Sequence, residues 1–187
     1  MPNIVYGLCQ PTLEMIKNDF SQFPEFREPK FRLVESMILN CTGGLFNLDP
    51  SMFETILHTV IYAMKHRKPE EMEIGLNSMI ELTEKISGEP SVCSMFFESF
   101  YTLIIRETFG IMTDCFHLSG FKLQTKIIQR LLSLVEQNLI SVNLKLEVGG
   151  SAHQSSSNKE FVTGFLQEHL MGNFPNLNAA QVEAYII

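Results

Sequence analysis

The sequence predicts an all-α fold, a superhelix of antiparallel HEAT-like helix pairs. Three observations lead there: apolar stripes with a 3.6-residue period, Pro and Gly punctuation between them, and recurrence of that punctuation after about 45 residues.

In chain order, Leu13, Ile16 and Phe20 mark a first helix, which Pro11 either starts or kinks. Phe31, Val34, Ile38, Cys41 and Leu45 mark a second, opening near Pro29, with Gly43-Gly44 inside its pattern as a close helix approach or a kink. Phe53, Ile56, Leu57, Val60, Ile61 and Met64 give the clearest stripe. Asp49 is its natural N-cap, because a carboxylate accepts from orphan backbone N–H groups, and Pro50 follows where its missing donor is not needed. Met72, Leu76, Met79, Ile80 and Ile86 form the antiparallel companion, from Pro69 to the closing Gly88-Glu89-Pro90. Between Pro90 and Ser119 two faces are apolar at once, Phe96, Phe100, Leu103 and Ile104 on one and Phe97, Tyr101, Ile105, Phe109 and Met112 on the other, as in a helix buried between neighbours. After Ser119-Gly120 comes another stripe, Leu123, Ile127, Ile128, Leu131, Leu132 and Val135. Residues 139–156, with Gly149-Gly150 and Ser155-Ser156, lack helical periodicity and read as a flexible loop. Ser157 and Glu160 then make a capping box ahead of Phe161, Phe165, Leu166 and Leu170, and a short last helix follows Asn178, with Gln181 three residues on.

Pro24 and Pro69, taken as the starts of successive helix pairs, are 45 positions apart, within the range of HEAT and armadillo units. The expected organisation is repeats over 1–138, a loop over 139–156, and further helices of the next repeat over 157–187. A solenoid leaves an extended surface for partners. The chain starts at Met1-Pro2 and stops at Ala184-Tyr185-Ile186-Ile187 within an apolar helical pattern, so a fragment of a longer array is expected.

Composition narrows the function. A length of 187 residues with 45% hydrophobic content supports a substantial core, and no apolar run reaches the length of a membrane-spanning helix. A formal net charge of -7 argues against nucleic-acid binding, which needs clustered cations. Cys9, Cys41, Cys93 and Cys115 lack CxxC spacing and read as reduced thiols in the core. Lys65, His66, Arg67 and Lys68 form the one basic cluster, expected to complement a helix C-terminus, the alternative being contact with an acidic partner; Glu70, Glu71 and Glu73 are expected to favour the next helix's N-terminus. Met64, Met72 and Met79 sit on core stripes rather than lining an adaptable groove.

No catalytic, cofactor or metal residues are assigned, and partner-facing residues stay open. Cys115 and His117 are two apart and diverge on a helix, unlike a nucleophile and its base. His58 has Glu54 four residues before it, and His66 has Glu70 four after but across Pro69, so no face gathers three ligands. Phosphate-loop and dinucleotide fingerprints are absent from the sequence.

An ordered set of short segments carries a resemblance. Met15-Ile16-Lys17-Asn18-Asp19-Phe20 with Phe23-Pro24-Glu25-Phe26-Arg27, Ala63-Met64-Lys65-His66, Met112-Thr113-Asp114 with His117 and Gly120, Leu134-Val135-Glu136, and Phe174-Pro175-Asn176-Leu177 with Ala180-Gln181-Val182 together resemble the C-terminal part of the nuclear exportins for leucine-rich signals, within the karyopherin-β family. The resemblance covers nearly the whole chain and departs most in the 139–156 loop. It implies a HEAT-repeat receptor that binds Ran in its GTP state and leucine-rich cargo cooperatively, meets nucleoporins, and shuttles between nucleus and cytoplasm. It also places the signal groove in middle repeats, upstream of this chain, and carries no Ran or signal contact onto these residues. Two other classes share the periodicity: another HEAT or armadillo adaptor, such as an import receptor or coat scaffold, and a helical enzyme using Cys115 or His117. On the stripe alone, Ile128→Asp buries an unpaired carboxylate and is expected to unfold the chain, visible as loss of the thermal transition.

Overall fold

The recurring prolines open helices because the first helical N–H has no acceptor to lose and proline's fixed φ suits the helix. In the computed structural model, which describes residues 2–16, 22–145, 157–174 and 176–186, four long helices begin at or within a residue of one. These are α2 (Pro24–Asn40), α4 (Pro50–Met64), α5 (Pro69–Ser87) and α6 (Pro90–Met112). Ahead of them, α1 joins Pro2–Ile4, a π-helical Val5–Cys9 and Gln10–Ile16 in one run; α3 is the short Thr42–Phe46. A 3-10 segment, Cys115–Gly120, leads into α7 (Phe121–Glu136), and α8 (Asn158–Asn173) and α9 (Ala179–Ile186) follow.

Local chemistry explains most boundaries. Asp49 Oδ1 accepts from Met52 N–H at 3.0 Å and Ser157 Oγ from Glu160 N–H at 3.2 Å, as N-caps. Asn178 and Gln181 cap reciprocally: Gln181 N–H donates to Asn178 Oδ1 at 2.9 Å and Asn178 N–H to Gln181 Oε1 at 3.0 Å. Pro11 sits just past the π-helical turn, so it distorts α1 rather than starting it; the wider turn relieves the ring's clash with the preceding carbonyls. Phe20 lies outside the described residues.

Four expectations are corrected. α2 opens at Pro24, not near Pro29, which lies inside the helix on its exposed side, where water can take the carbonyl left without a donor. The second stripe does not run unbroken to Leu45: the backbone leaves the helical region at Cys41 (φ -127°, ψ 34°) and α3 is separate. Around Gly43 there is open space, so it marks no close approach. The Leu139 to Lys145 stretch, expected within the loop, is an ordered strap with Ile140 and Leu144 buried. Asn158 clamps it, donating from Nδ2 to Ile140 O at 3.1 Å and Val142 O at 2.8 Å and accepting from Leu144 N–H at 2.8 Å. Residues 146–156 of that loop lie outside the described residues.

The helices form two layers. α1, α4 and α6 succeed one another in one, α2, α5 and α7 in the other, and α1/α2, α4/α5 and α6/α7 are the antiparallel pairs between them. Pro24 and Pro69 therefore open the second helices of successive pairs, not the pairs themselves; the 45-residue spacing is that of one layer's helices. Hydrogen bonds repeat the interval: Tyr62 Oη donates to Ile16 O at 2.5 Å, Lys85 Nζ to Leu39 O at 2.8 Å, and the Ser94 and Ser141 hydroxyls meet at 2.6 Å, across 46, 46 and 47 residues. α8 extends the first layer, its His169 ring 5.6 Å from that of Phe109 on α6, and α9 packs on α8.

The main core runs through both layers and includes Met64, Met72 and Met79, and Ile16, Phe31, Ala63 and Ile74 form a second, smaller cluster. α4 and α5 touch most closely at Gly75, where a Cβ would stand 2.3 Å from Met64 N and 2.6 Å from Ala63 C. Of the cysteines, Cys9 and Cys93 are core residues as expected; Cys41 and Cys115 are exposed, the first just past the end of α2 and the second at the start of the 3-10 segment. Lys30 of α2 is buried with its Nζ donating to Cys9 O at 2.9 Å, and burial draws its pKa down to about 7.

Two outcomes follow. Gly75→Ala forces backbone apart, so a loss at or above about 3 kcal/mol is expected in denaturant titration, the upper end for overpacking. Lys30 is protonated in the unfolded chain below 10.5 but in the folded chain only below about 7, so its penalty is full at neutral pH and vanishes as pH rises through that window. Lys30→Met should raise Tm at neutral pH, and the advantage should shrink as the buffer approaches the upper limit.

Candidate functional site

Two regions stand apart from simple core packing. The first is an apolar groove of about 750 Å³ beside α7. Ile128, Leu132 and Val135 supply one wall because they lie at three- and four-residue steps on α7; Val162, Leu166 and Leu170 supply the other by the same rule on α8. Phe109 of α6 contributes to the lining, and Phe174 and Leu177 line it past the end of α8. Lys159 and Glu136 are its only charged lining residues among those described. This groove resolves the α7 stripe into two sides: Ile127, Leu131 and Leu134 are fully buried, whereas Ile128 retains 9% exposure. Leu131, not Ile128, is the position at which a carboxylate would have no route to water.

Along α8 the rings of Phe161, Phe165 and His169 lie one turn apart and stack in sequence, at 6.5 and 5.9 Å between centroids. Burial holds His169 below the usual imidazole range, and the Arg106 charge adds to this.

The second region is the turn between α4 and α5. It holds the Lys65–Lys68 cluster. Glu71 stands in the first turn of α5, where the sequence places it, but neither it nor His66 is solvated: they are 4% and 3% exposed. Lys68 N–H donates to His66 Nδ1 at 3.2 Å, which leaves the ring hydrogen on Nε2, 3.0 Å from Glu71 Oε2. Lys68 Nζ reaches Glu71 Oε1 at 3.2 Å. Arg27, 1% exposed on α2, and His117 of the 3-10 segment lie within electrostatic range of His66. Burial holds the His66 ring below its ordinary pKa; Glu71 opposes this, and Arg27, Lys68 and His117 reinforce it.

The other two cluster members do face outward. Lys65 Nζ donates to Glu107 Oε2 at 2.5 Å, linking α4 to α6, and the Arg67 guanidinium lies 5.0 Å from the ring centre of Phe116. Phe116, Leu118 and Phe121 are exposed around it.

The chemistry weighed for Cys115 and His117 is not assembled. Cys115 is exposed, while His117 is buried with Nδ1 3.1 Å from Asp114 Oδ2. Asp114 also accepts from Phe116 N–H at 3.0 Å, and that backbone donor, ahead of His117, holds its carboxyl below the usual range. His58 and Glu54 meet at 3.3 Å as an exposed helical pair, and among the described residues no group of three His, Cys, Asp or Glu side chains is placed to hold a metal. What sequence reasoning missed was Arg27, His66 and Glu71 as one buried group. The available signal was the register: Glu71 lies one turn before Ile74 and Gly75 and two before Ser78, all buried on α5.

The chain is similar to Exportin-1 of Schizosaccharomyces pombe, 34% identical over 187 residues, and to Protein EXPORTIN 1B of Arabidopsis thaliana, 30% identical over 186. Exportin-1 of Dictyostelium discoideum is 28% identical over 186 residues. In each the whole chain is matched, and it spans 17% of the relative's length. The family model described as CRM1 C terminal matches residues 1–187, and the chain belongs to that family.

Proposed function

We propose that this chain is the C-terminal scaffold of a nuclear export receptor, which with Ran-GTP carries leucine-rich-signal cargo out of the nucleus. The observation that carries the reading is the family match over every residue, supported by helix pairs stacked in two layers. The receptor shuttles through the nuclear pore in contact with nucleoporins and binds neither nucleic acid nor membrane. The signal groove belongs to repeats outside this chain. Here the division of labour is repeats over 1–138, a connection over 139–156 that begins with the Leu139–Lys145 strap, and the next repeat from 157. Transport needs no bond-making by the receptor. It needs coupling: if Ran-GTP and cargo favour the same curvature of the solenoid, each raises the other's affinity by the same factor. Repeats locked by buried contacts transmit curvature, because packed helices shift between discrete arrangements rather than deform continuously.

The apolar groove fits the same reading. It lies between α7 and α8 with Phe109 of α6 in its lining, and the occupant that matches this helical lining is another helix of the same array.

In the full-length receptor, a labelled leucine-rich peptide should bind more tightly when GTP-locked Ran is present, and Ran should bind more tightly with peptide, read by fluorescence polarisation. No mutual strengthening, with the receptor shown folded, would return the chain to a HEAT-type adaptor of another kind. This chain alone should not bind the peptide saturably. Leu132→Gln should barely move the Tm of this chain, where Leu132 is only half-buried, and should lower that of the full-length receptor clearly. Equal effects in both would remove the array-helix occupant.

A further inference from the structure

His66 stands where three repeats meet. It lies in the α4–α5 turn, two residues past the end of α4; Arg27 approaches from α2, Glu71 from α5, Lys68 from the turn itself, and His117, braced by Asp114, from the 3-10 segment that leads to α7. The Phe31 ring on α2 stands edge-on to the imidazole at 6.2 Å. Arg27, His66, Glu71 and His117 are each under 5% exposed, so this is buried polar chemistry, not a surface ion pair. Nδ1 of the ring accepts from Lys68 N–H, and Nε2 stands 3.0 Å from Glu71 Oε2 without the alignment of a hydrogen bond.

We propose that this cluster is an acid-sensitive joint between repeats, in which neutral His66 closes α2, α5 and the 3-10 segment around one buried carboxylate and protonated His66 opens them. The charge census gives the direction. Among the described residues, Glu71 is the one buried carboxylate facing the ring; Asp114, the other acid nearby, is partly exposed and engaged with His117. A proton on His66 must lose the Nδ1 acceptor role, breaking the bond from Lys68 N–H, and adds a cation beside Arg27 and Lys68. Burial already disfavours the charged ring. The unfolded or opened turn therefore takes the proton first, and the joint's stability, full above about 6.5, falls as pH drops below it.

Hydrogen exchange on this chain tests the idea, with rates corrected for intrinsic pH dependence. Between about pH 7.5 and about pH 5.5, amides of 66–72 and 115–120 should lose protection by about tenfold or more, while those in the middle of α8 hold theirs. His66→Gln keeps an N–H for Glu71 but cannot titrate, and should abolish the loss; His169→Gln should leave it intact. The idea is overturned if the wild-type turn keeps its protection, if His66→Gln loses protection to the same extent, or if His169→Gln alone removes the effect. Should His66→Gln not fold, imidazole carbon NMR of the wild type decides. A ring that stays neutral with Nε2 protonated until the turn opens supports the joint, and one that titrates at the ordinary value with the turn closed sinks it.

Discussion

α5 touches α2, α4, α6, the 3-10 segment and α7, and the closeness of its contact with α4 sets where all of them lie. At Gly75 the missing side chain lets the backbone of α4 approach until Met64 N would be 2.3 Å from any Cβ. That approach brings the Met64 and Met79 side chains into full burial. It also puts the α4–α5 turn against the start of α2. Gly120 works in a smaller way on the other flank, where a Cβ would stand 2.7 Å from Leu76 Cδ1 and 3.1 Å from Met72 Cε. Those are flexible side-chain ends, so that contact can yield; the one at Gly75 cannot.

Given that packing, the ends of the helices are tied to their neighbours one repeat away. Lys85, in the last turn of α5, donates to Leu39 O and Thr42 Oγ1 near the end of α2, supplying a cation where carbonyls lack intrahelical donors. Arg130 of α7 does the equivalent for α5 through Ser87 Oγ. The strap after α7 uses backbone polar groups in the same spirit, with Asn158 standing in for a paired strand. Curvature of the array thus rests on apolar layers and on bonds that skip about one repeat in sequence. Packing supplies stiffness, and polar joints supply places where arrangement can change.

Polar residues were the least legible part of the chain. Lys65, His66, Arg67 and Lys68 look alike in a linear reading, a short cationic run at a helix end. Lys65 turns out to bridge to α6, His66 is buried, Arg67 covers Phe116, and Lys68 reaches back to Glu71. Consecutive residues around a turn point in different directions, and only the neighbours decide which direction is interior. Arg27 and Lys30, on the α2 face beside Phe31, are buried for the same reason. Asp49 and Ser157, by contrast, were readable because a cap bonds within its own turn and needs no tertiary partner.

By itself the sequence determined the helices, most of their ends, the 45-residue interval of one layer and the family, since periodicity, caps and proline positions act over a few residues and ordered motifs need no contact. The tertiary structure alone decided that Pro24 and Pro69 open second helices of their pairs, that α2 runs through Pro29, that the Leu139–Lys145 strap is packed, and that one side of α7 faces a groove. It also decided that His66 and Glu71 share a buried site with Arg27 nearby. Each of these depends on a surface supplied from more than a turn away in sequence, and burial is a property of such a surface, not of the residue that meets it.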